Sequence, residues 1–116
     1  MLNIEVEFYD LPNGEEPAKI FIYSLPSGMK AKMLKNIDLL EEYGPSLRGP
    51  YSEYLGDGIF ELRAKFGTDI SRVLYFFIVD GKAILTHGFI KKQQKTPESE
   101  KQRAKNYRKE YLNRRK

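Results

Sequence analysis

The chain has 116 residues, of which 41% are hydrophobic and 31% are charged, as is typical of one globular domain with a well-charged surface. No apolar run reaches the roughly 20 residues that a membrane-spanning helix needs, and the N-terminus lacks the basic-then-apolar layout of a signal peptide. Without cysteine and with one histidine, the sequence excludes disulfides, a thiolate nucleophile and an ordinary zinc cage. We expect a single cytoplasmic domain over residues 1–116 that uses no metal or cofactor.

The formal net charge of +4 is unevenly distributed along the chain. Residues 91–116 contain eleven Lys and Arg and three Glu, a net charge of +8, whereas the first ninety residues contain nine bases and thirteen acids, a net charge of −4. A basic end on an acidic body indicates contact with a polyanion, most simply nucleic acid. A solvated helix with a frayed basic end explains the same composition, and composition alone does not decide between the two.

Residues 1–58 predict a strand, a helical hairpin and a turn-rich segment. Ile4, Val6 and Phe8 alternate with acidic or polar residues, which is the period of a half-buried strand. Two apolar sets then follow at helical spacing: Ala18, Phe21, Ile22 and Leu25 in a first helix, and Met29, Met33, Ile37 and Leu40 in a second. Ser27 is the predicted N-cap of the second helix, and Gly44-Pro45 ends it. We expect the hairpin to cover one face of a sheet, and part of residues 44–58 to pair with the sheet edge.

Residues 59–92 predict an antiparallel meander, because three runs rich in aliphatic and aromatic residues are separated by Gly-bearing turns. In the first run the apolar side chains point to one face and the charged ones to the other; the charged set is Glu61, Arg63 and Lys65.

The second run of the meander is apolar on both sides, which indicates a central strand buried on both faces. Arg72 lies near its beginning, where a cation can still reach water. In the third run we place His87 on the same buried side as Leu85 and Phe89, where a hydrogen-bonded structural histidine is favoured over a catalytic one.

Thr96-Pro97 predicts the start of a last helix, with Thr96 as its N-cap. Its apolar stripe is narrow and consists of Ala104, Tyr107, Tyr111 and Leu112. Because such a helix is marginal alone, we expect it to rest on the sheet edge or on a partner. The predicted fold class is α+β: an N-terminal strand and a helical hairpin packed on an antiparallel β-meander, with a basic C-terminal helix.

The candidates for chemistry are cations on the sheet, because the sequence contains no nucleophile elbow, no P-loop and no dinucleotide fingerprint. Arg63, Arg72, Lys91 and Lys92 lie in or just after strands that also carry the core, an unusual place for Lys and Arg. Arginine matches a phosphate bidentately and stays protonated, so it suits the stabilisation of transition-state charge. A lysine crowded by other cations has a lowered pKa, which favours Lys91 or Lys92 for proton transfer.

Some of these cations can also be explained by a purely structural role. Arg63 is also explained as a solvent-face strand residue beside Glu61, and Lys91-Lys92 as a solvated strand end. Arg72 at the start of a buried strand is harder to explain in this way.

Three segments resemble the phage-derived toxins grouped with HigB in the RelE/ParE superfamily: D-G-I-F-E-L-R at 57–63, R-V-L-Y-F-F at 72–77 and I-L-T-H-G-F-I-K-K-Q-Q-K-T-P at 84–97. The resemblance covers most of the chain and implies a compact RelE-like fold. It implies a ribosome-dependent mRNA endoribonuclease in which the 2′-hydroxyl of the message attacks its own phosphate without a metal. It also implies a helix-turn-helix, HigA-like antitoxin that binds the toxin in a hetero-oligomer, with the ribosome and mRNA as further partners.

By position, the resemblance assigns catalysis to Arg63, Arg72 and Lys91 or Lys92, and we expect Lys65 and Lys95 to bind RNA. Relatives often place a catalytic tyrosine or histidine near the end of the fold, where this chain has Lys95-Thr96-Pro97, so the identity of the base stays open. Two alternatives also stay open, namely a non-nucleolytic toxin of the same fold such as a gyrase inhibitor, and a non-catalytic RNA-binding module.

Overall fold

The computed structural model describes residues 3–91 and 95–115, and of Lys91 the backbone only. Within these residues the chain order is β1 (Glu5–Phe8), α1 (Pro17–Tyr23), α2 (Ser27–Tyr43), a 3-10 turn (Gly44–Ser46), β2 (Ser52–Gly56), β3 (Ile59–Phe66), β4 (Asp69–Ile78), β5 (Lys82–Lys91) and α3 (Glu98–Arg114). The strands form one sheet in the order β1-β5-β4-β3-β2, in which β1 runs parallel to β5 and the other neighbours are antiparallel. The predicted α+β architecture is confirmed, as is the pairing of part of residues 44–58 with the sheet edge. No helix in the described residues is long and apolar enough to cross a membrane.

The hairpin of α1 and α2 covers one face of the sheet, as predicted. Most of the apolar side chains that the helical spacing selects are buried, namely Ala18, Ile22, Leu25, Met29, Met33, Ile37 and Leu40, whereas Phe21 is partly buried against the same core. They pack on inward-facing strand residues that include Leu62, Val73 and Leu85. The prediction of Ser27 as N-cap is wrong, because the carbonyl of Pro26 already accepts the amide hydrogen of Lys30 and Ser27 is the first helical residue. At the other end, Gly44 ends α2 with φ at +56°, a value that glycine adopts without strain.

The opposite face of the sheet is covered by α3. A second core forms there from Tyr9, Ile59, Leu74, Phe76, Ile84 and Ala104, with Tyr107 and Tyr111 packed against it. The helix therefore lies across the face of the sheet, and the expectation that it rests on the sheet edge is wrong. β4 is buried on both faces, as predicted, because α1 and α2 cover one side and α3 covers the other.

A β-bulge in β5 changes which face its residues occupy. Leu74 pairs with His87 whereas Tyr75 pairs with Leu85, so Thr86 is an extra residue without a partner in the register. Leu85 joins the core under α1 and α2, while His87 lies on the α3 side beside Tyr107. The prediction that Leu85 and His87 share a face is wrong for this reason.

Candidate functional site

Two arginines lie directly opposite each other on the sheet. The β3–β4 register pairs Arg63 with Arg72, and the side chains of both bond to Glu61 on the face that α3 covers. Like charges directly opposite each other on neighbouring strands destabilise a sheet. The carboxylate of Glu61, two positions before Arg63 on the same face, supplies the charge that offsets them.

Glu61 is the centre of this arginine cluster, which consists of Glu61, Arg63, Arg72 and Thr96. Its side chain is fully buried, and its Oε1 accepts hydrogen bonds from Arg63 Nε at 2.7 Å and from Arg72 Nη1 at 2.8 Å. The hydroxyl of Thr96 donates to the other carboxylate oxygen and accepts a 3.3 Å bond from Arg72 Nη1. One carboxylate therefore holds two guanidinium groups and the segment that leads into α3.

The sequence gives a signal for Glu61 but little for Thr96. Alternation in β3 places Glu61 on the face of Arg63, and two cations on one buried face need an acid. Thr96 has the sequence context of a helix N-cap, and that prediction is wrong because Pro97 is the residue that precedes α3. Its hydroxyl bonds instead to Glu61 and Arg72.

The two arginines differ in their access to solvent. The side chain of Arg72 is 1% exposed, so the prediction that it reaches water near the start of its strand is wrong. β4 begins at Asp69, which places Arg72 inside the strand and beneath Thr96. The side chain of Arg63 is 28% exposed, and it also pairs with Glu53, an exposed residue of β2. Of the two arginines, Arg63 is therefore the one that reaches the surface.

A cleft of about 210 Å³ opens beside the arginine cluster. Its walls are Glu53, Tyr54 and Leu55 from β2, and Lys95, Thr96, Glu98 and Lys101 from the segment leading into α3 and its first turn. Two of these residues also contact the cluster, since Glu53 pairs with Arg63 and Thr96 bonds to Glu61. The cleft therefore lies next to the arginine cluster and shares two contacting residues with it.

The predicted lysines lie at different distances from this cleft. Lys95 is exposed and forms part of its wall, whereas Lys65 is exposed near the end of β3 and does not line it. The backbone of Lys91 ends β5 opposite Ile70, but its side chain and the whole of Lys92 lie outside the described residues. Their proposed roles stay predictions.

Residues 21–109 match the family model of the phage-derived Gp49-like proteins. The chain belongs to this family. Gp49-like proteins are RelE/ParE-like toxins of toxin–antitoxin systems. The match includes the arginine cluster and the cleft, and it ends within α3. No curated protein matches the sequence.

The helix α3 of this Gp49-like protein is attached to the body by polar contacts as well as by the second core. At the β2–β3 turn, Lys101 and Lys105 reach Asp57 Oδ2 at 3.1 and 3.2 Å, and Arg108 donates to the Asp57 carbonyl at 2.6 Å. These lysines lower the pKa of Asp57, chiefly through the hydrogen bond from Lys101. Gly58 permits the close approach, because a Cβ there would lie 2.7 Å from Arg108 Nη1. Part of the basic charge of α3 is therefore used within the molecule.

His87 connects the sheet to α3 in this Gp49-like fold and lies apart from the cleft. Its buried ring bonds through Nε2 to Glu100 at 2.9 Å and through Nδ1 to Thr86 at 3.1 Å. Burial lowers the pKa of His87, while the neighbouring Glu100 carboxylate opposes the shift. These contacts favour the structural role over the catalytic one.

Proposed function

We propose that this chain is the toxin of a type II toxin–antitoxin pair and that it acts in the cytoplasm as a HigB-like, ribosome-dependent mRNA endoribonuclease, with residues 1–116 as one domain. Membership of a toxin family supports the toxin role. The observation that carries the nuclease activity is the arginine cluster, in which Arg63 is partly exposed beside a cleft that also carries Lys95 and Lys101.

The proposed reaction is an attack of the 2′-hydroxyl of the message on the adjacent phosphorus. The 5′-oxygen of the next nucleotide leaves, which gives a 2′,3′-cyclic phosphate and a free 5′-hydroxyl. Charge grows on the non-bridging oxygens in the transition state, and a guanidinium held in place by Glu61 stabilises it without reorganising. Arg63 supplies this contact in our proposal, because its side chain reaches the surface.

Arg72 supports the reaction from below the surface in this proposal. It shares the Glu61 carboxylate with Arg63, so it fixes the orientation of Glu61 and adds positive charge beneath the phosphate. A direct contact between Arg72 and the phosphate, as predicted from the sequence, requires the Thr96 segment to move aside. Lys91 or Lys92 transfers the protons, and Lys65 and Lys95 bind the RNA backbone.

The proposed partners are the ribosome, mRNA and a HigA-like helix-turn-helix antitoxin. The net charge of +8 over residues 91–116 supports contact with RNA. If phosphate contacts dominate, the logarithm of the association constant for RNA falls linearly with the logarithm of the salt concentration.

The test compares wild type with Arg63→Ala by induced expression and primer extension on an abundant message. We expect cuts within translated regions that are lost in Arg63→Ala. Arg103→Ala is the matched control, because it removes an exposed arginine (58%) from α3 away from the cleft, and its cuts should persist. Arg63 is preferred to Arg72 for this test, since Arg72 is buried and is one of the two guanidinium groups that offset the charge of the buried Glu61, so its removal endangers folding.

One observation favours a second candidate without nuclease activity. This candidate is either a toxin of the same fold with another target, such as gyrase, or a non-catalytic RNA-binding module. Arg72 is buried and bonded to Glu61, whereas an arginine that contacts the scissile phosphate has to reach it. Growth arrest by the wild type without any cuts in messages would support this candidate, and a DNA supercoiling assay would then test gyrase as the target.

A further inference from the structure

We infer that the Glu53 carboxylate occupies the phosphate position on Arg63 in the free protein and is displaced when RNA binds. The inference rests on the proposed function, in that it takes a phosphate of the message as the ligand of Arg63. It assigns Glu53 the role of an internal competitor, which controls how readily the arginine cluster accepts an anion.

Two carboxylates hold Arg63, and they differ in burial. Glu61 Oε1 accepts a hydrogen bond from Arg63 Nε at 2.7 Å, and Glu53 Oε1 pairs with Arg63 Nη2. The side chain of Glu61 is fully buried, whereas that of Glu53 is 51% exposed. A buried carboxylate that bonds to two guanidinium groups is costly to release. An exposed ion pair contributes little free energy, so another anion can replace its carboxylate.

The nitrogen that Glu53 holds is one that a bound phosphate uses. A guanidinium binds a phosphate bidentately through one of two edges, Nε with Nη2 or Nη1 with Nη2. Nη2 belongs to both edges, and it is the atom of Arg63 that pairs with Glu53. A phosphate that binds Arg63 bidentately therefore takes the place of the Glu53 carboxylate.

The formal charges around Arg63 support this exchange. Glu53 and Glu61 supply two negative charges, and Arg63 and Arg72 supply two positive ones, so these four side chains have no net charge. When Glu53 leaves, one positive charge is uncompensated, and a phosphodiester with its single negative charge restores the balance. β2 is an edge strand of the sheet, so the released carboxylate can turn into solvent.

The test measures binding of a fluorescein-labelled, single-stranded 2′-O-methyl RNA by anisotropy at low salt, since this probe lacks the attacking hydroxyl and stays intact. We expect Glu53→Gln to bind the probe about fivefold more tightly than wild type, a factor at the upper end for loss of an exposed ion pair. Glu98→Gln is the matched control, because it removes the same charge from an exposed glutamate in the wall of the same cleft. Thermal unfolding of each variant verifies that it is folded.

A double variant separates competition at Arg63 from a general gain of positive charge. In Arg63→Ala we expect the added Glu53→Gln change to have no larger effect than Glu98→Gln, because the contested guanidinium is absent. The inference is overturned if no variant binds the probe, if Glu53→Gln binds no more tightly than Glu98→Gln, or if the tightening persists without Arg63.

Primer extension in cells distinguishes failure of this inference from failure of the proposed function. Tightening that depends on Arg63, without cuts in messages, would overturn the nuclease and leave the competitor role intact. Cuts that depend on Arg63, without tightening in Glu53→Gln, would overturn the competitor role and leave the nuclease intact.

Discussion

Replacement of Glu61 by glutamine tests how the arginine cluster is held together. Glu61→Gln keeps the shape of the side chain and removes its charge. Arg63 retains Glu53 as a partner, but Arg72, whose side chain is 1% exposed, loses the carboxylate to which it bonds at 2.8 Å. Breaking a buried ion pair from one side costs about 3–5 kcal/mol, because the carboxylate charge that offsets the buried guanidinium is lost. For a protein of this size that loss lowers Tm by roughly 10–20 °C.

The matched control uses the other carboxylate that Arg63 contacts. Glu53 is 51% exposed, so we expect Glu53→Gln to cost less than about 1 kcal/mol. The assay is urea unfolding followed by far-UV circular dichroism, with calorimetry for Tm. A double variant, Glu61→Leu with Arg72→Met, replaces the pair by apolar side chains and should recover most of the loss. A loss in Glu61→Gln no larger than in Glu53→Gln would refute the reasoning, as would a double variant less stable than either single one.

Three further predictions concern the rest of the molecule. Burial lowers the pKa of His87 below its ordinary 6.5 although Glu100 opposes the shift, so stability should fall as pH drops below about 6.5, and urea unfolding of His87→Gln should lose this slope. Gly88→Ala would overlap the ring of Phe21 and should cost about 1–3 kcal/mol in urea unfolding; an unchanged midpoint would contradict that packing. Burial, aided by a hydrogen bond to a carboxylate of α3, raises the pKa of Tyr9 to about 12. Stability should therefore be lost as pH rises from about 10 to 12, and Tyr9→Phe should remove one late-titrating group from the tyrosinate absorbance curve.

The elements with a strong local pattern could be predicted from the sequence. Met29, Met33, Ile37 and Leu40 recur at helical spacing because one face of α2 is buried, and all four are buried. The apolar residues on both sides of β4 likewise reflect burial between two layers. In each case burial of one helix face or of both strand faces produces a hydrophobic pattern within a short stretch of sequence.

The features that depend on distant contacts could not be predicted in the same way. The side chain of Arg72 is buried and bonds to Thr96, 24 residues later in the chain, and no local pattern around residue 72 encodes that contact. The bulge at Thr86 shifts the faces of β5 by a change in backbone register, which alternation alone does not reveal. The candidate cations are proposed from the sequence, whereas Glu61 as the shared partner of Arg63 and Arg72 emerges from the packing.

The two free edges of the sheet carry a protection against self-association. β1 is four residues long and presents Glu5 and Glu7, whose side chains are 74% and 38% exposed. β2 is five residues long, carries the exposed Glu53, and is interrupted by a register shift between Tyr54 and Gly56. Short, charged or bulged edges discourage the addition of a further strand. A second copy that approached either edge in a two-fold arrangement would place its glutamates beside those of the first copy. The repulsion between these carboxylates opposes extension of the sheet by another copy of the chain.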